Sequence, residues 1–175
     1  TFGLERSDYP ATMEEEFPGI DKQVVYAEGI FVGYRYFEHH GTDILFPFGH
    51  GLSYTDFNYS DLTLSSGELN TDDTLVVSYT ITNAGDRAGA EVSQLYIRDV
   101  EASVQRPAKE LKGFDKAFLD QGESRRVELT IGNRDLSFWD EKNDRWVAEE
   151  GRFEVLVGAS SADIRLRGSF DCKGD

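Results

Sequence analysis

A change in hydrophobic period constrains this chain more than any other feature of it. From Leu75 onward apolar residues recur at every second position. Leu75, Val77, Tyr79 and Ile81 alternate with Val76, Ser78, Thr80 and Thr82; Val127, Leu129 and Ile131 alternate with Arg126, Glu128 and Thr130; Phe153, Val155 and Val157 alternate with Glu154 and Leu156. A side-chain period of two belongs to strands with one buried face. Turn signals such as Asn83-Ala84-Gly85-Asp86 and Asp120-Gln121-Gly122-Glu123 break the pattern into about seven runs, which predicts an antiparallel β-sandwich. Between Val92 and Leu95 the alternation slips phase, as a bulge or a strand covered on both faces would require. The apolar fraction of 39% is enough for a packed core. Cys172 is the one cysteine, so burial and not an intrachain disulfide must join the two sheets. Phe138 to Val147 reads as a hairpin whose polar tip is flanked by the two tryptophans, Trp139 and Trp146, both candidates for the core.

Upstream the pattern differs. Residues 1 to about 22, with Ser7-Asp8-Tyr9-Pro10 and Phe17-Pro18-Gly19, show little periodicity and read as an irregular connector lying on another domain. Tyr26, Ile30, Tyr34 and Phe37 then recur at helical spacing, with Gly41 as a C-cap, predicting a short helix from about Phe31 to His39. Gly29 and Gly33 each weaken an isolated helix by about 1 kcal/mol, so this one forms only with something packed on it. The junction is Phe46-Pro47-Phe48-Gly49-His50-Gly51-Leu52-Ser53-Tyr54-Thr55. Pro47 fixes its own φ and biases Phe46 toward extended geometry, while Gly49 and Gly51 allow backbone angles closed to other residues. The mainly β chain thus divides into a connector, residues 1–54, and a sandwich, residues 55–175.

The formal charge of −15 is spread along the chain, with only short clusters at Glu14-Glu15-Glu16 and Glu149-Glu150. A solvated acidic surface of this kind argues against nucleic acid and anionic membranes as partners, and no apolar stretch has the length of a transmembrane helix. No compartment follows; an extracellular one is compatible. Asn58-Tyr59-Ser60 satisfies the N-glycosylation pattern.

Most chemical motifs fail on inspection. His39-His40-Gly41-Thr42-Asp43 with His50 has ligand types for a metal, but adjacent histidines point apart and no cysteine or further histidine completes a set. Asp140-x-Lys142-x-Asp144 departs from a calcium loop at Lys142, Arg145 and Gly151. Gly51-Leu52-Ser53-Tyr54-Thr55 lacks the second glycine of a nucleophile elbow, and Gly49-His50-Gly51 lacks the third glycine of a dinucleotide loop. No metal or organic cofactor is expected.

Tyr26-Ala27-Glu28-Gly29-Ile30-Phe31-Val32-Gly33-Tyr34-Arg35-Tyr36-Phe37 followed by Phe46 to Thr55 resembles the C-terminal region of glycoside hydrolase family 3 β-glucosidases. Arg106-Pro107-Ala108-Lys109-Glu110-Leu111-Lys112-Gly113-Phe114 and Arg134-Asp135-Leu136-Ser137-Phe138-Trp139-Asp140 are similar to two signatures of the fibronectin type III-like domain in many of them. The resemblance implies that residues 1–54 are the tail of a preceding catalytic assembly. It also implies that the parent hydrolyses terminal β-D-glucosyl residues through two carboxylates about 5 Å apart, one a nucleophile and one an acid/base. Thr1-Phe2 is similar to the end of the strand that follows the acid/base region, so both carboxylates are expected upstream and no catalytic residue is assigned here.

The aromatics allow two roles. Tyr34, Arg35, Tyr36, Phe37, Phe46 and Phe48 are the candidates for anchoring the sandwich to the catalytic domains of the parent, while Phe48, His50 and Tyr54 are weaker candidates for contact with substrate. Arg106 and Lys109, beside Pro107 in an apparent loop, read as a charged rim facing another domain or a ligand. The competing reading is an accessory module that binds polysaccharide, lignin or a cell surface. Anchoring predicts exposed apolar surface around Phe31 to Tyr54; carbohydrate binding predicts an aromatic strip including Trp139 or Trp146.

Overall fold

The computed structural model describes residues 1–174; Asp175, the last residue of the expected sandwich segment, lies outside the described residues. In chain order the elements are β1 (Phe2–Gly3), α1 (Tyr34–His40), β2 (Ile44–Phe46), β3 (Phe57–Leu64), β4 (Glu68–Leu69), β5 (Thr74–Asn83), β6 (Gly89–Asp99), β7 (Glu110–Leu119), β8 (Ser124–Gly132), α2 (Asn133–Leu136), β9 (Phe138–Asp140), β10 (Arg145–Val147), β11 (Glu150–Gly158) and β12 (Ile164–Lys173). Two sheets face each other, one in the order β3-β5-β8, the other β4-β12-β11-β6-β7. Every long strand pairs antiparallel; the one parallel pairing joins the two-residue β4 to β12.

The period-two residues meet where the alternation demands. Leu75, Val77, Tyr79 and Ile81 on β5, Val127 and Ile131 on β8, and Leu95, Ile97, Phe153, Val155 and Val157 on β6 and β11 form one buried cluster with Phe170 and Cys172 of β12. Each fully buried aliphatic side chain of this kind contributes roughly 1.5–3 kcal/mol. The Cys172 thiol is buried and accepts from Gly174 N–H at 3.4 Å. The Tyr79 hydroxyl, the polar atom most deeply set in this apolar layer, is hydrogen-bonded to Ser93 Oγ at 2.8 Å.

The phase slip on β6 has a definite cause. Ser93, Leu95 and Ile97 face the sandwich core, while Gln94 and Tyr96, which alternate with them, are buried as well, at 4% and 0% exposure. The strand is therefore covered on both faces. A register shift is also present, opposite β7, where Leu95 pairs with Gly113 and Tyr96 with Leu111. Phe31, Phe37, Tyr96 and Leu156 are buried hydrophobics outside the core cluster. They mark a second apolar layer on the outer face of the five-stranded sheet, and the connector supplies it.

α1 starts at Tyr34, three residues later than the spacing predicts, because Gly33 has φ 57° and cannot continue a helix from Phe31. It ends as expected, with Gly41 in the left-handed conformation and its N–H donated to the Phe37 carbonyl. β1 and β2 pair Phe2 with Phe46 and Gly3 with Ile44, tying the start of the connector to its end.

Candidate functional site

The site is the seat of the connector on the outer face of the five-stranded sheet. Tyr34, at the first turn of α1, accepts a 2.9 Å hydrogen bond from the Leu111 backbone N–H through its hydroxyl. Its ring meets Tyr96 edge-on at 5.9 Å and tilts against Phe48 at 5.2 Å. Glu38, one turn on, binds Lys109 Nζ at 2.6 Å, and both side chains are largely buried. Phe37 packs edge-on against Tyr9, and Tyr36 against Phe37 and His40. Phe46 meets Phe2 and His50. Of the six anchoring candidates, Tyr34, Arg35 and Phe48 touch the sandwich, and Tyr36, Phe37 and Phe46 hold the connector together.

Glu110 sits at the centre of a charge cluster joining the two parts. It pairs with Arg35 of α1 at 3.2 Å, Arg106 at 2.9 Å and Lys112 at 3.7 Å. Burial alone would raise the Glu110 pKa, but Lys112, Arg106 and Arg35 outweigh it and hold the carboxyl below its ordinary value. Arg106 also reaches Asp99 at 3.3 Å and donates to the Leu136 carbonyl at 2.6 Å. For Asp99 burial wins over the attraction of Arg106, and its pKa is raised. Burial lowers the Lys112 pKa. These carboxylates are committed to structural partners, and Arg106, with its side chain 9% exposed, is no rim. The reading of Arg106 and Lys109 as a loop facing outward is thus corrected: both point into the chain, because Asp99, Glu110 and Glu38 fold around them.

The junction loop is seated by Gln94. Its Nε2 donates to the carbonyls of Ala159 at 2.8 Å and Gly49 at 3.5 Å, and its Oε1 accepts from the Tyr96 hydroxyl. Gly49 has φ 79°, and a Cβ there would stand 2.1 Å from Gln94 Nε2, so glycine alone fits. The Phe48 carbonyl accepts from Ser161 N–H at 2.9 Å. Beyond this seat the loop projects: Leu52 and Tyr54 are each 92% exposed. At Thr55 the chain is caught again. Thr55 Oγ1 donates to Asn83 Oδ1 at 2.6 Å, Gly85 N–H donates to the same oxygen, and Asn83 Nδ2 donates to the carbonyls of Arg87 and Leu119. A cleft of about 1130 Å³ beside the loop takes His50 but neither Phe48 nor Tyr54 into its walls, so the three substrate-contact candidates are not brought together.

The connector also carries many exposed apolar side chains. Besides Leu52 and Tyr54, exposed side chains include Phe2, Phe17, Tyr26, Val32 and Leu45. Trp139 and Trp146 pair across the β9–β10 hairpin and are 43% and 45% exposed, outside the core, which corrects their reading as core residues. A three-residue hairpin arm is too short to fold two indoles under the sheets.

A family model described as "Fibronectin type III-like domain" matches residues 91–161. "Thermostable beta-glucosidase B" of Acetivibrio thermocellus is 45% identical over 97% of this chain and 22% of its own length. The crystal structure of a Bifidobacterium adolescentis GH3 β-glucosidase superposes with a TM-score of 0.93 at 36% identity, over 100% of this chain and 25% of that one. The chain corresponds to the C-terminal region of glycoside hydrolase family 3 β-glucosidases. β-Glucosidase 3B of Thermotoga neapolitana, solved with α-D-glucose, agrees, with a TM-score of 0.89 and 45% identity over 100% of this chain and 24% of that one. The chain spans about a quarter of the length of these family 3 proteins. The residues that seat the connector but escaped the sequence reading are Glu38, Gln94 and Asn83. Their partners lie 71, 65 and 36 positions away, beyond any local pattern.

Proposed function

We propose that this chain is the non-catalytic C-terminal module of a β-glucosidase and acts by docking its connector face against the catalytic domains of the same polypeptide. The observation that carries the reading is a connector at once anchored and exposed. Tyr34, Arg35, Glu38 and Gln94 lock it onto the sandwich, while its own Leu52 and Tyr54 stand almost wholly in solvent. A monomer gains nothing by exposing such side chains, whereas burying each against a neighbour contributes roughly 1.5–3 kcal/mol. The whole protein hydrolyses terminal β-D-glucosyl residues by the retaining two-carboxylate route, both carboxylates standing outside this chain. The module supplies rigidity: its salt-bridged seat fixes the angle at which the connector meets the rest. Co-sedimentation with the catalytic region of the parent tests this. The wild-type chain is expected to co-sediment and the double variant Leu52→Ser, Tyr54→Ser to lose most of the association; equal binding by both contradicts the proposed face.

A further inference from the structure

A cleft of about 540 Å³ lies between the β9–β10 hairpin, the connector and the Arg106 loop, and neither Leu52 nor Tyr54 lines it. Its size is in the range of small-ligand sites. Trp139 and Phe138 form one wall with Trp146, and Ile30 and Val104 stand among the remaining apolar groups. The indoles meet at 62° with centroids 5.4 Å apart, and the Arg134 guanidinium covers one face of Trp146. Nearly half of each tryptophan is left in solvent. An indole kept outside the core at this exposure is a flat apolar surface beside polar groups, the pairing that suits a ligand apolar on one face and polar on its edge.

The charges in the cleft sharpen the ligand class. Arg35, Arg106 and Lys142 balance Glu110, Asp140 and Glu141, three against three, in a chain whose formal charge is −15. Glu110 and Arg106 are spent on each other at 2.9 Å. Asp140 is occupied by the backbone N–H groups of Lys142 and Asn143 and by Asn143 Nδ2. Glu141, Lys142 and Gln105 are exposed lining residues that offer an acceptor, a donor and both. A cleft with no net charge selects against anions and cations and suits a neutral polyhydroxyl compound. Glucose units in β linkage carry their hydroxyls around the ring edge and expose flat C–H faces that stack on indole.

We infer that the Trp139–Trp146 cleft is an accessory site for a neutral β-linked gluco-oligosaccharide, in addition to the docking role of the connector. The two tryptophans of the chain both line it, so intrinsic indole fluorescence reports on this site and nowhere else. Titrating the chain with cellotetraose is expected to change the emission saturably, with glucose weaker and an anionic oligogalacturonate silent. Trp139→Ala is expected to weaken binding by about tenfold or more, read by calorimetry. Trp139→Phe keeps an aromatic face and is expected to stay within several-fold of wild type, which separates stacking from loss of the hairpin. The inference is overturned if cellotetraose leaves emission and heat unchanged, if oligogalacturonate binds as well, or if Trp139→Ala binds like the parent chain. It is overturned also if the indoles respond to the catalytic region and not to the saccharide.

Discussion

Asn83 is the residue on which the junction hangs. It is fully buried and all four of its hydrogen-bonding positions are satisfied, two at Oδ1 by Thr55 and Gly85 and two at Nδ2 by Arg87 and Leu119. Removing it leaves buried donors and carbonyls unpaired, each costing about 1–3 kcal/mol. Asn83→Ala is therefore expected to lose about 3 kcal/mol or more, seen as a lower urea midpoint at unchanged slope. Asn83 stands inside Asn83-Ala84-Gly85-Asp86, which reads correctly as a turn; the four-way anchor is invisible there because three of its partners, Thr55, Leu119 and the Arg87 carbonyl, are set by the fold and not by turn chemistry. Gly49 is a second such position. With φ 79° and Gln94 filling the space of a Cβ, Gly49→Ala must displace a buried amide that makes three hydrogen bonds. Faster proteolytic cleavage in residues 46–54 is expected, with little change in the global unfolding transition, because the lost contacts are local.

Among elements, the pairing of α1 with β7 carries a definite pH signature. The Glu110 carboxyl is held below its ordinary 4.5 in the folded chain, so the stability it confers is complete above that value and is lost as pH falls through the folded pKa, below pH 4.5. Asp99 has the opposite sign: its folded pKa is raised above 3.8, so protonation favours the fold and stability is gained as pH falls through the raised value. Glu110→Gln is thus expected to cost about 3 kcal/mol at pH 7 and to flatten the acid limb of the stability profile, since it removes the carboxylate shared by Arg35, Arg106 and Lys112. Asp99→Asn is expected to be milder at the same pH; thermal unfolding between pH 3 and 7 distinguishes them. The sandwich strands were legible in the sequence because one face of β5 and β8 is dry and the other wet, which writes a period of two directly into the residues. β6 obscured that pattern since Gln94 and Tyr96 are covered by the connector, a tertiary contact with no local trace. The helix start was misplaced by three residues because spacing shows which residues share a face and says little about where Gly33 interrupts it. Half of the connector seat was legible through its aromatics; of the charge cluster Arg35, Arg106 and Lys109 were legible as candidates, but their partners Glu38, Asp99 and Glu110 were not, because each is ordinary until folding brings them together.

For the whole molecule, one arrangement explains the composition. Large apolar side chains fill a closed sandwich core and also stand exposed, many of them on the connector and others, such as Phe114 and Phe118, on the sandwich, and the net negative charge limits indiscriminate association. Under the proposed reading, a module built this way stabilises what it docks on. The decisive measurement is hydrolysis of p-nitrophenyl β-glucoside by the chain alone, by the catalytic region of the parent alone, and by the two mixed, each with a thermal inactivation curve. The expected result is no turnover by the chain and higher activity and longer survival of the catalytic region in the mixture. Turnover by the chain alone, or a catalytic region indifferent to its presence, contradicts the docking role.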